Sequence, residues 1–550
     1  MDIAGQVRAR AAEMLEDSGA ASAPVEVDSR RVRNCLGNNE RGDGVLFAEL
    51  NAGKYLYLYN SANLGEWYRW TGIVWQYDEA REVVRTGVEE VAVRYENEIV
   101  AVRGLPAPEG EDEEAKEKAK NARKGLIKDL RQRVDRCRSK AGAEKILYWA
   151  PIVAPEMACN EAERDQKPML LPCANGVINL ETGALQAGRP QDLLTRAIDV
   201  AYDPAADTSP CRDFLSSILG GNEDEVEFVQ RSLGVALTGH SHEQYFWLLI
   251  GDGRNGKGVL MHILAALLGP YYHEINAAML VARRSPPNPG ATSEHIMSLQ
   301  GKRLISAGET NDHERIDARE FKRLTGDNIL NGRANYAKEV TFRPTHCTWL
   351  QTNHVPQGIT GDFAMLQRLL ILDFPYSFVD DPEDEARRYP ARSGFFRKKD
   401  PELKSRMTSP EMLQKWLRFA VEGCRKWRND GLKIPPSVIA RRDELARQAD
   451  FFNDFFADCV EKTTEADKMR CVDMYAVFQR WYAAYMGDSE ENASSRIKYP
   501  AMKTMNNAFR KRGYEVAKNG VYYIIAVRIK KDCPYQWASE ADRQYAERWG

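Results

Sequence analysis

Hydrophobic and polar residues follow a short period in the first third of the chain. From Gly42 onward, apolar and aromatic residues alternate with polar ones over residues 45–47, 55–59, 67–70 and 74–75, which predicts short strands of a small sheet. A strand-rich core accounts for these aromatic residues, and base stacking is the alternative. The polar residues before Gly42 predict a short helix and a linker.

A helical period lies beneath a run of charge between residues 106 and 145. Leu126, Ile127, Leu130 and Val134 recur at helical spacing, with acidic residues before them and mainly basic residues around them. A solvated helix is the default explanation, and a DNA-binding arm is the alternative. Further along, the two glycine turns within residues 175–183 predict a hairpin.

Strands and helices alternate through the rest of the chain. Apolar runs at residues 246–250, 303–309, 347–352 and 369–372 have the length of buried strands. Helical patterns cover residues 211–237, 259–268 and 413–427. The last segment, residues 451–531, has the order of three helices followed by a hairpin, with a strand at residues 521–525. The chain therefore predicts an α/β fold with a mixed N-terminal domain and a separate C-terminal domain.

Composition narrows the class of protein. The 550 residues are 43% hydrophobic and 29% charged, which excludes a mainly disordered, collagen-like or membrane-embedded chain.

The ten cysteines form no C-x-x-C pair, and no secretion leader is evident, so we expect a reduced cytoplasmic location, in a bacterial host, with no membrane partner. The net charge of −3 excludes a uniformly basic coat. Any contact with DNA should use local patches.

The strand at residues 246–250 leads into a glycine-rich loop and then a helix. The loop has the pattern G-x-x-x-x-G-K, which binds phosphates through inward-turned backbone N–H groups and a helix N-terminus. This pattern predicts a site for ATP, and the residues that we expect to line it are Gly251, Gly253, Asn255, Gly256, Lys257 and Gly258. The usual Ser or Thr after the lysine, a ligand of Mg²⁺, is replaced by Gly258. An acidic residue should therefore help to hold the metal.

Polar residues at the ends of the neighbouring strands are the other catalytic candidates. Glu309 ends one strand and could hold Mg²⁺ or polarise the attacking water, although a strand-ending Glu is more often a surface residue. Asn353 ends the next strand and could orient that water or contact the γ-phosphate, with an Asx turn as the alternative. Arg368 precedes a further strand and could be an arginine finger for the adjacent subunit, or a surface ion pair.

These motifs occur in a fixed order that resembles a known family. The phosphate loop, the Glu309 strand, Lys-Arg-Leu-Thr-Gly-Asp (322–327), Thr-Asn-His-Val-Pro (352–356) and Arg-Leu-Leu-Ile-Leu-Asp-Phe (368–374) are similar to those of superfamily 3 helicases of the phage/plasmid primase-helicase family, of poxvirus and satellite-phage type. The resemblance implies an AAA+-like P-loop motor that forms a homo-oligomeric, most often hexameric, ring on single-stranded DNA and moves 3′→5′. Gly258 and Gln367, where many members have a second arginine, depart from the family pattern.

The resemblance and the periodicity together give predicted domain boundaries. We expect a leader and linker (1–41), a collar-like α+β domain (42–205), the ATPase (206–395), a helical linker (396–450), a winged-helix domain (451–531) and a tail (532–550). A primase domain would need a pair of acidic residues on strands and a His further along the chain, and we find no such set in the sequence. A separate primase or polymerase should therefore supply priming.

Two regions are candidates for DNA contact. Residues 328–342 predict a β-hairpin, and in the helicase family the corresponding hairpin projects into the ring channel. Arg333 and Lys338 would then bind phosphates, and Tyr336 would contact a sugar or base. An ordinary surface hairpin is the alternative. The segment 494–531 has ten basic residues against one acidic residue, Glu515. A solvated basic face is the alternative to DNA binding there, for which the expected contacts are Lys503, Arg510, Lys511 and Arg512.

The leading hypothesis is an ATP-dependent replicative helicase of a phage, prophage or other mobile element. It would act on single-stranded and forked DNA. The alternative is an origin-binding initiator whose ATP site mainly drives assembly, and the missing hydroxyl at Gly258 favours that alternative. A metabolic P-loop kinase would leave the hairpin, the Asn353 strand and the basic C-terminal segment unexplained.

Overall fold

The structure is a computed structural model, and the chain divides into two compact units. It describes residues 27–59, 65–106, 113–240, 243–281, 294–308, 316–326, 329–332, 340–353, 355–356, 363–448, 451–485 and 499–536. The first unit comprises the described residues within Met1–Ile359 and Gln367–Ile439, and the second comprises those within Thr360–Leu366 and Ala440–Gly550. None of the described helices combines the length and apolar composition that crossing a lipid bilayer requires.

The first unit begins with helices packed against a small sheet. The helices are α1 (Ser29–Gly37), α2 (Asn39–Leu50), α3 (Val88–Gly104), α4 (Glu113–Arg138) and α5 (Lys140–Val153). The strands are β1 (Tyr55–Tyr59), β2 (Gly65–Trp70), β3 (Trp75–Tyr77) and β4 (Ala158–Asn160), in the order β3-β2-β1-β4. The strands predicted around residues 55–59, 67–70 and 74–75 are confirmed, as is the helix predicted between residues 106 and 145.

The strand predicted at residues 45–47 is wrong, because these residues lie within α2. Leu46 and Phe47 are fully buried there. Gly44 lets α2 approach α5 closely, since a Cβ at this position would lie 2.7 Å from the Cβ of Trp149. An apolar run of three residues fits a buried helix as well as a strand, and tertiary packing decides between them.

A buried polar network stabilises these helices. Arg133 of α4 donates to Asp43 of α2 at 2.6 Å, and the Tyr95 hydroxyl of α3 donates to the same carboxylate oxygen at 2.8 Å. Burial raises the pKa of Asp43, and the Arg133 guanidinium opposes that shift. Three helices therefore depend on one carboxylate, and removing it would leave a buried cation uncompensated.

A three-stranded antiparallel meander and two helices connect this region to the central sheet. The meander consists of β5 (Leu170–Cys173), β6 (Gly176–Asn179) and β7 (Ala184–Gln186), which confirms the hairpin predicted at residues 175–183. The helical segment predicted at residues 211–237 is two helices, α6 (Ser209–Ile218) and α7 (Glu223–Leu237). They are separated by Gly220 and Gly221, both at positive φ, where a helix cannot continue.

The central sheet has five parallel strands in the order β14-β8-β13-β10-β9. They are β8 (Phe246–Ile250), β9 (Tyr272–Ile275), β10 (Leu304–Ala307), β13 (Cys347–Thr352) and β14 (Leu369–Asp373). Helices α8 (Lys257–Leu268), α9 (Glu294–Met297) and α10 (Ala318–Thr325) accompany them, and a separate pair is formed by β11 (Leu330–Gly332) and β12 (Val340–Phe342). Strands predicted from the apolar runs at 246–250, 347–352 and 369–372 are confirmed, and the run at 303–309 is confirmed over Leu304–Ala307.

Helices close the first unit around this sheet. After β14 come the parallel pair β15 (Ser377–Val379) and β16 (Phe396–Lys398), with α12 (Pro382–Arg388), α13 (Leu403–Met407) and α14 (Pro410–Asp430). α14 confirms the predicted amphipathic helix. It packs closely on α7. The residue at this contact is Gly423, where a Cβ would lie 1.9 Å from the carbonyl oxygen of Gln230. The short α11 (Phe363–Gln367) and α15 (Pro436–Gln448) cross the boundaries between the units.

Within the second unit, the described residues 451–485 and 499–536 form three helices and short strands. The helices are α16 (Phe451–Cys459), α17 (Cys471–Tyr485) and α18 (Met502–Lys511). β17 (Val460–Lys462) pairs with β21 (Val527–Ile529), while β18 (Lys468–Arg470), β20 (Val521–Ile525) and β19 (Val516–Asn519) form an antiparallel sheet in that order. The predicted order of three helices and a hairpin is confirmed, with β17 and β18 as additional strands between the first two helices.

Candidate functional site

The glycine-rich loop joins a buried strand to a helix. All five residues of β8 are buried, and α8 starts at Lys257. Gly256 precedes this helix at φ +91°, and a Cβ there would lie 2.5 Å from Cγ2 of Ile218. Only glycine fits this position without strain. The first backbone N–H groups of α8 have no partner within the helix, which makes its N-terminus suited to a phosphate.

The Lys257 side chain is folded into the loop. It is only 5% exposed, and its Nζ donates to the carbonyl oxygens of Gly251 at 2.5 Å and Thr352 at 2.7 Å. A third oxygen, Oδ1 of Asn353, lies 3.3 Å from Nζ. Thr352 ends β13 and Gly251 follows β8, so the lysine connects the carboxyl ends of two adjacent parallel strands. Ligands of parallel α/β sheets bind at such a crevice.

Asn255 adds a second donor to the loop. Its side chain is buried, and its Oδ1 accepts the backbone N–H of Lys257 at 3.4 Å. Its Nδ2 has no hydrogen-bond partner among the described residues. A buried donor without a partner costs about 1–3 kcal/mol, and a phosphate oxygen would satisfy it. Gly251 is required beside it, because a Cβ there would lie 2.1 Å from this Nδ2. The loop residues therefore fit a nucleotide polyphosphate.

The side chains that could hold Mg²⁺ beside the loop are only partly described. They contain no group of three or more His, Cys, Asp or Glu side chains that could hold a metal ion. Gly258 lies in the first turn of α8 and has no hydroxyl, although a Cβ there would have no heavy atom within 4 Å. Glu309, the predicted metal ligand, lies outside the described residues.

The chain segment after β14 packs against the outer side of the loop, which the sequence did not predict. The backbone N–H of Phe378 donates to the carbonyl oxygen of Arg254 at 2.7 Å. Arg392 forms a 2.6 Å ion pair with Asp252. Both partners of this ion pair are partly exposed, so it contributes little to stability, although it joins the loop to residues 390–395. In the sequence, the only indication of this contact is the charged residue Asp252 within the glycine-rich loop.

Arg368 lies at the opposite end of the sheet from Lys257. Its carbonyl oxygen accepts the N–H of Phe246, the first residue of β8, at 2.7 Å. At about 3.3 Å per residue, β8 separates it from the loop by roughly 15 Å. Its guanidinium donates to Thr325 Oγ1 at 3.2 Å and Gln244 Oε1 at 3.2 Å, with the Lys322 carbonyl oxygen at 3.4 Å. The structure thus brings Lys257 and Asn353 together and keeps Arg368 apart.

The predicted DNA contacts are only partly described. The paired strands β11 and β12 form the stem of the predicted hairpin, with Leu330 opposite Phe342, while Arg333, Tyr336 and Lys338 lie outside the described residues. In the second unit, Lys503, Arg510 and Lys511 are exposed on α18. Arg512 instead stacks on the Phe456 ring at 4.7 Å. The structure therefore gives Arg512 a role in packing that the sequence did not predict.

Comparisons with known proteins point to viral replication proteins. Residues 45–220 match a family model described as "D5 N terminal like". The chain is 26% identical over 464 residues to a protein of Acanthamoeba polyphaga mimivirus named "Putative helicase", covering 82% of this chain and 47% of that one. A "Putative helicase" of Sputnik virophage is 22% identical over 233 residues, 41% of this chain and 29% of that protein.

A third relative has a different name. A "Putative primase" of African swine fever virus is 21% identical over 332 residues, covering 58% of this chain and 34% of that protein. The chain thus spans less than half the length of these relatives. Among solved structures, the C-terminal region of NrS-1 has a TM-score of 0.39 at 12% identity, over 70% of this chain and 90% of that one, a likeness too weak to support an argument.

Proposed function

We propose that this chain is an ATP-hydrolysing DNA helicase of a virus, phage or other mobile element. The observation that carries this proposal is the position of Lys257, which is buried at the ends of β8 and β13 and bound to three oxygens that phosphate oxygens can replace. The ordered motifs and the helicase names of the viral relatives support DNA unwinding over other uses of a phosphate loop.

The chain's own residues would act in sequence during nucleotide binding. Lys257 exchanges the carbonyl oxygens of Gly251 and Thr352 for phosphate oxygens, and Asn255 donates from its unpartnered Nδ2. Lys257 also gives up its contact with Oδ1 of Asn353, and we assign this side chain to orienting a water molecule. Glu309 is proposed as the residue that polarises this water and holds Mg²⁺. In a low-dielectric loop such positioned groups stabilise transferring phosphate charge strongly.

The ring proposal rests on Arg368. An arginine roughly 15 Å from its own phosphate loop cannot act on a nucleotide bound there, but it can reach a nucleotide in a neighbouring copy. We therefore propose a homo-oligomeric ring, most simply a hexamer with an AAA+-like motor, in which Arg368 acts in trans. The hairpin lysine Lys338, with Arg333 and Tyr336, would hold single-stranded DNA in the channel, and α18 of a winged-helix-like second unit would contact duplex DNA.

A second function is favoured by one observation. Gly258 leaves the loop without the metal-binding hydroxyl that this position usually supplies, so ATP binding could drive assembly at an origin with little hydrolysis. In that case the chain would bind DNA and assemble with ATP, but it would not separate strands.

One experiment separates these functions. Forked-duplex unwinding and ATP turnover are measured for wild type, Lys257→Ala and Lys338→Ala, with Lys404→Ala on α13 as a control for loss of an exposed lysine outside the loop, the hairpin and the ordered motifs. We expect Lys257→Ala to abolish both activities, and Lys338→Ala to abolish unwinding while retaining basal ATP turnover.

Each alternative result has a defined meaning. ATP turnover by wild type without any unwinding would support the initiator function and reject the helicase. Normal unwinding by Lys338→Ala would reject the channel role of the hairpin while the helicase proposal survives.

A further inference from the structure

A basic cleft lies in the first unit, within the region that precedes the central sheet. It has a volume of about 410 Å³ and lies between the end of α3 and the middle of α4. The side chains that line it are Arg103, Lys124, Ile127, Lys128, Arg131, Gln132 and Asp135. Four of these seven side chains are cationic, and one is acidic.

The four cations of the cleft, one on α3 and three on α4, are not neutralised by a carboxylate among the described residues. None of them forms an ion pair with a residue that the structure describes. Elsewhere on α4, Lys116 pairs with Glu113 at 3.3 Å and Lys120 with Glu117 at 3.4 Å. Unpaired cations gathered in one cleft repel each other, and an anionic ligand relieves that repulsion.

Their spacing fits an extended polyanion. Lys124, Lys128 and Arg131 follow the i, i+4, i+7 pattern of one helix face, with Arg103 of α3 at the cleft wall. The rise of 1.5 Å per residue separates them by about 6 Å and about 4.5 Å along the helix axis. A nucleic acid strand carries a phosphate every ~3.4 Å of duplex axis, and further apart when extended, so the three cations can contact neighbouring phosphates.

We propose that this basic cleft binds the phosphate backbone of a single DNA strand, as a DNA site separate from the channel hairpin and from α18. The lining includes no aromatic side chain on which a base could stack. Contact would therefore be electrostatic and independent of sequence. The site depends on neither the ATP loop nor the hairpin, so it goes beyond the function proposed above.

The test uses the full-length chain and a matched control. The cleft variant is Lys124→Ala/Lys128→Ala/Arg131→Ala, and the control is Lys116→Ala/Lys118→Ala/Lys120→Ala, which removes the same charge from the same helix outside the cleft. Binding of a fluorescent oligothymidylate is measured by anisotropy at several salt concentrations without nucleotide. Three lost phosphate contacts should reduce the slope of log K against log salt by about 2, and weaken binding about tenfold to a hundredfold.

The charge-conserving variant Lys124→Arg/Lys128→Arg/Arg131→Lys should restore the wild-type slope. Basal ATP turnover should stay unchanged in all three variants, whereas Lys257→Ala should lose turnover but keep the salt slope. This difference separates failure of the basic cleft from failure of the helicase proposal. If the cleft and control variants have the same slope, or if only blunt duplex binding is lost, the single-strand site is rejected.

Discussion

Arg303 provides the strongest test of how the central sheet is joined to the region before it. This side chain is 6% exposed and donates to the carbonyl oxygens of Leu237, at the end of α7, and Leu170, the latter at 2.7 Å. Its guanidinium also lies over the Tyr271 ring, 4.4 Å from the centroid. One side chain therefore connects α7, β5 and the start of β10.

Replacement by methionine keeps most of the volume and removes every donor. Two hydrogen bonds from a charged group contribute about 1.5–3 kcal/mol each, and a desolvated cation–ring contact about 1–2 kcal/mol. Methionine avoids the cost of burying a charge, which offsets part of this sum. We expect Arg303→Met to lower the free energy of unfolding of the first unit by about 3 kcal/mol.

The assay is urea unfolding followed by tryptophan fluorescence, with the neighbouring Lys302→Met as the control. Among the described residues Lys302 donates to the carbonyl oxygen of Pro270, at 2.8 Å in an exposed position, so its replacement should cost less than about 1 kcal/mol. A loss in Arg303→Met no larger than that in Lys302→Met would refute the idea that the buried guanidinium holds these elements together.

Three further predictions concern residues around the central sheet. Burial lowers the pKa of His346 to about 4, below its ordinary 6.5, so the unfolded chain binds this proton at a higher pH than the folded chain does. As the pH falls from about 6.5 to about 4, the free energy of unfolding should therefore decrease by up to about 3 kcal/mol. Urea titrations of His346→Gln should lack this decrease. Gly258→Ser should fold normally and lower the Mg²⁺ concentration for half-maximal ATP turnover, and an unchanged Mg²⁺ dependence would contradict a metal-binding role for position 258. Thr325→Val removes an acceptor of the Arg368 guanidinium, so ATP turnover should fall severalfold at unchanged nucleotide affinity. Thr325→Ser, which keeps the hydroxyl, should restore turnover. Turnover equal to wild type in Thr325→Val would show that Thr325 does not position Arg368.

Strongly patterned segments could be predicted from the sequence. The loop with its strand and helix is local in sequence, and its glycines have specific steric causes at Gly251 and Gly256. Asn353 also follows a well-marked buried strand, so its approach to Lys257 agrees with the expectation that parallel strands end together.

Contacts between distant segments could not be predicted. Residues 45–47 fit a strand locally, but they lie within α2, where Gly44 allows close packing on α5. The Arg392–Asp252 ion pair joins residues that are 140 positions apart, and no local pattern encodes it. The same is true of the Arg303 contacts and of the basic cleft, whose cations come from two helices.

The strand β13 has a mechanical consequence. Its six residues span about 20 Å, and it is paired with β8 on one side and β10 on the other, so it cannot stretch or bend independently. At one end, Thr352 and Asn353 contact Lys257; at the other, residues 343–346 lead directly from the stem of the hairpin. A displacement that begins when Lys257 releases Thr352 would therefore travel along the strand axis to residues 343–346, the segment that joins β13 to the stem of the hairpin. A change in the hydrogen-bond partners of Lys257 would thus displace the segment that leads to the hairpin along the axis of β13.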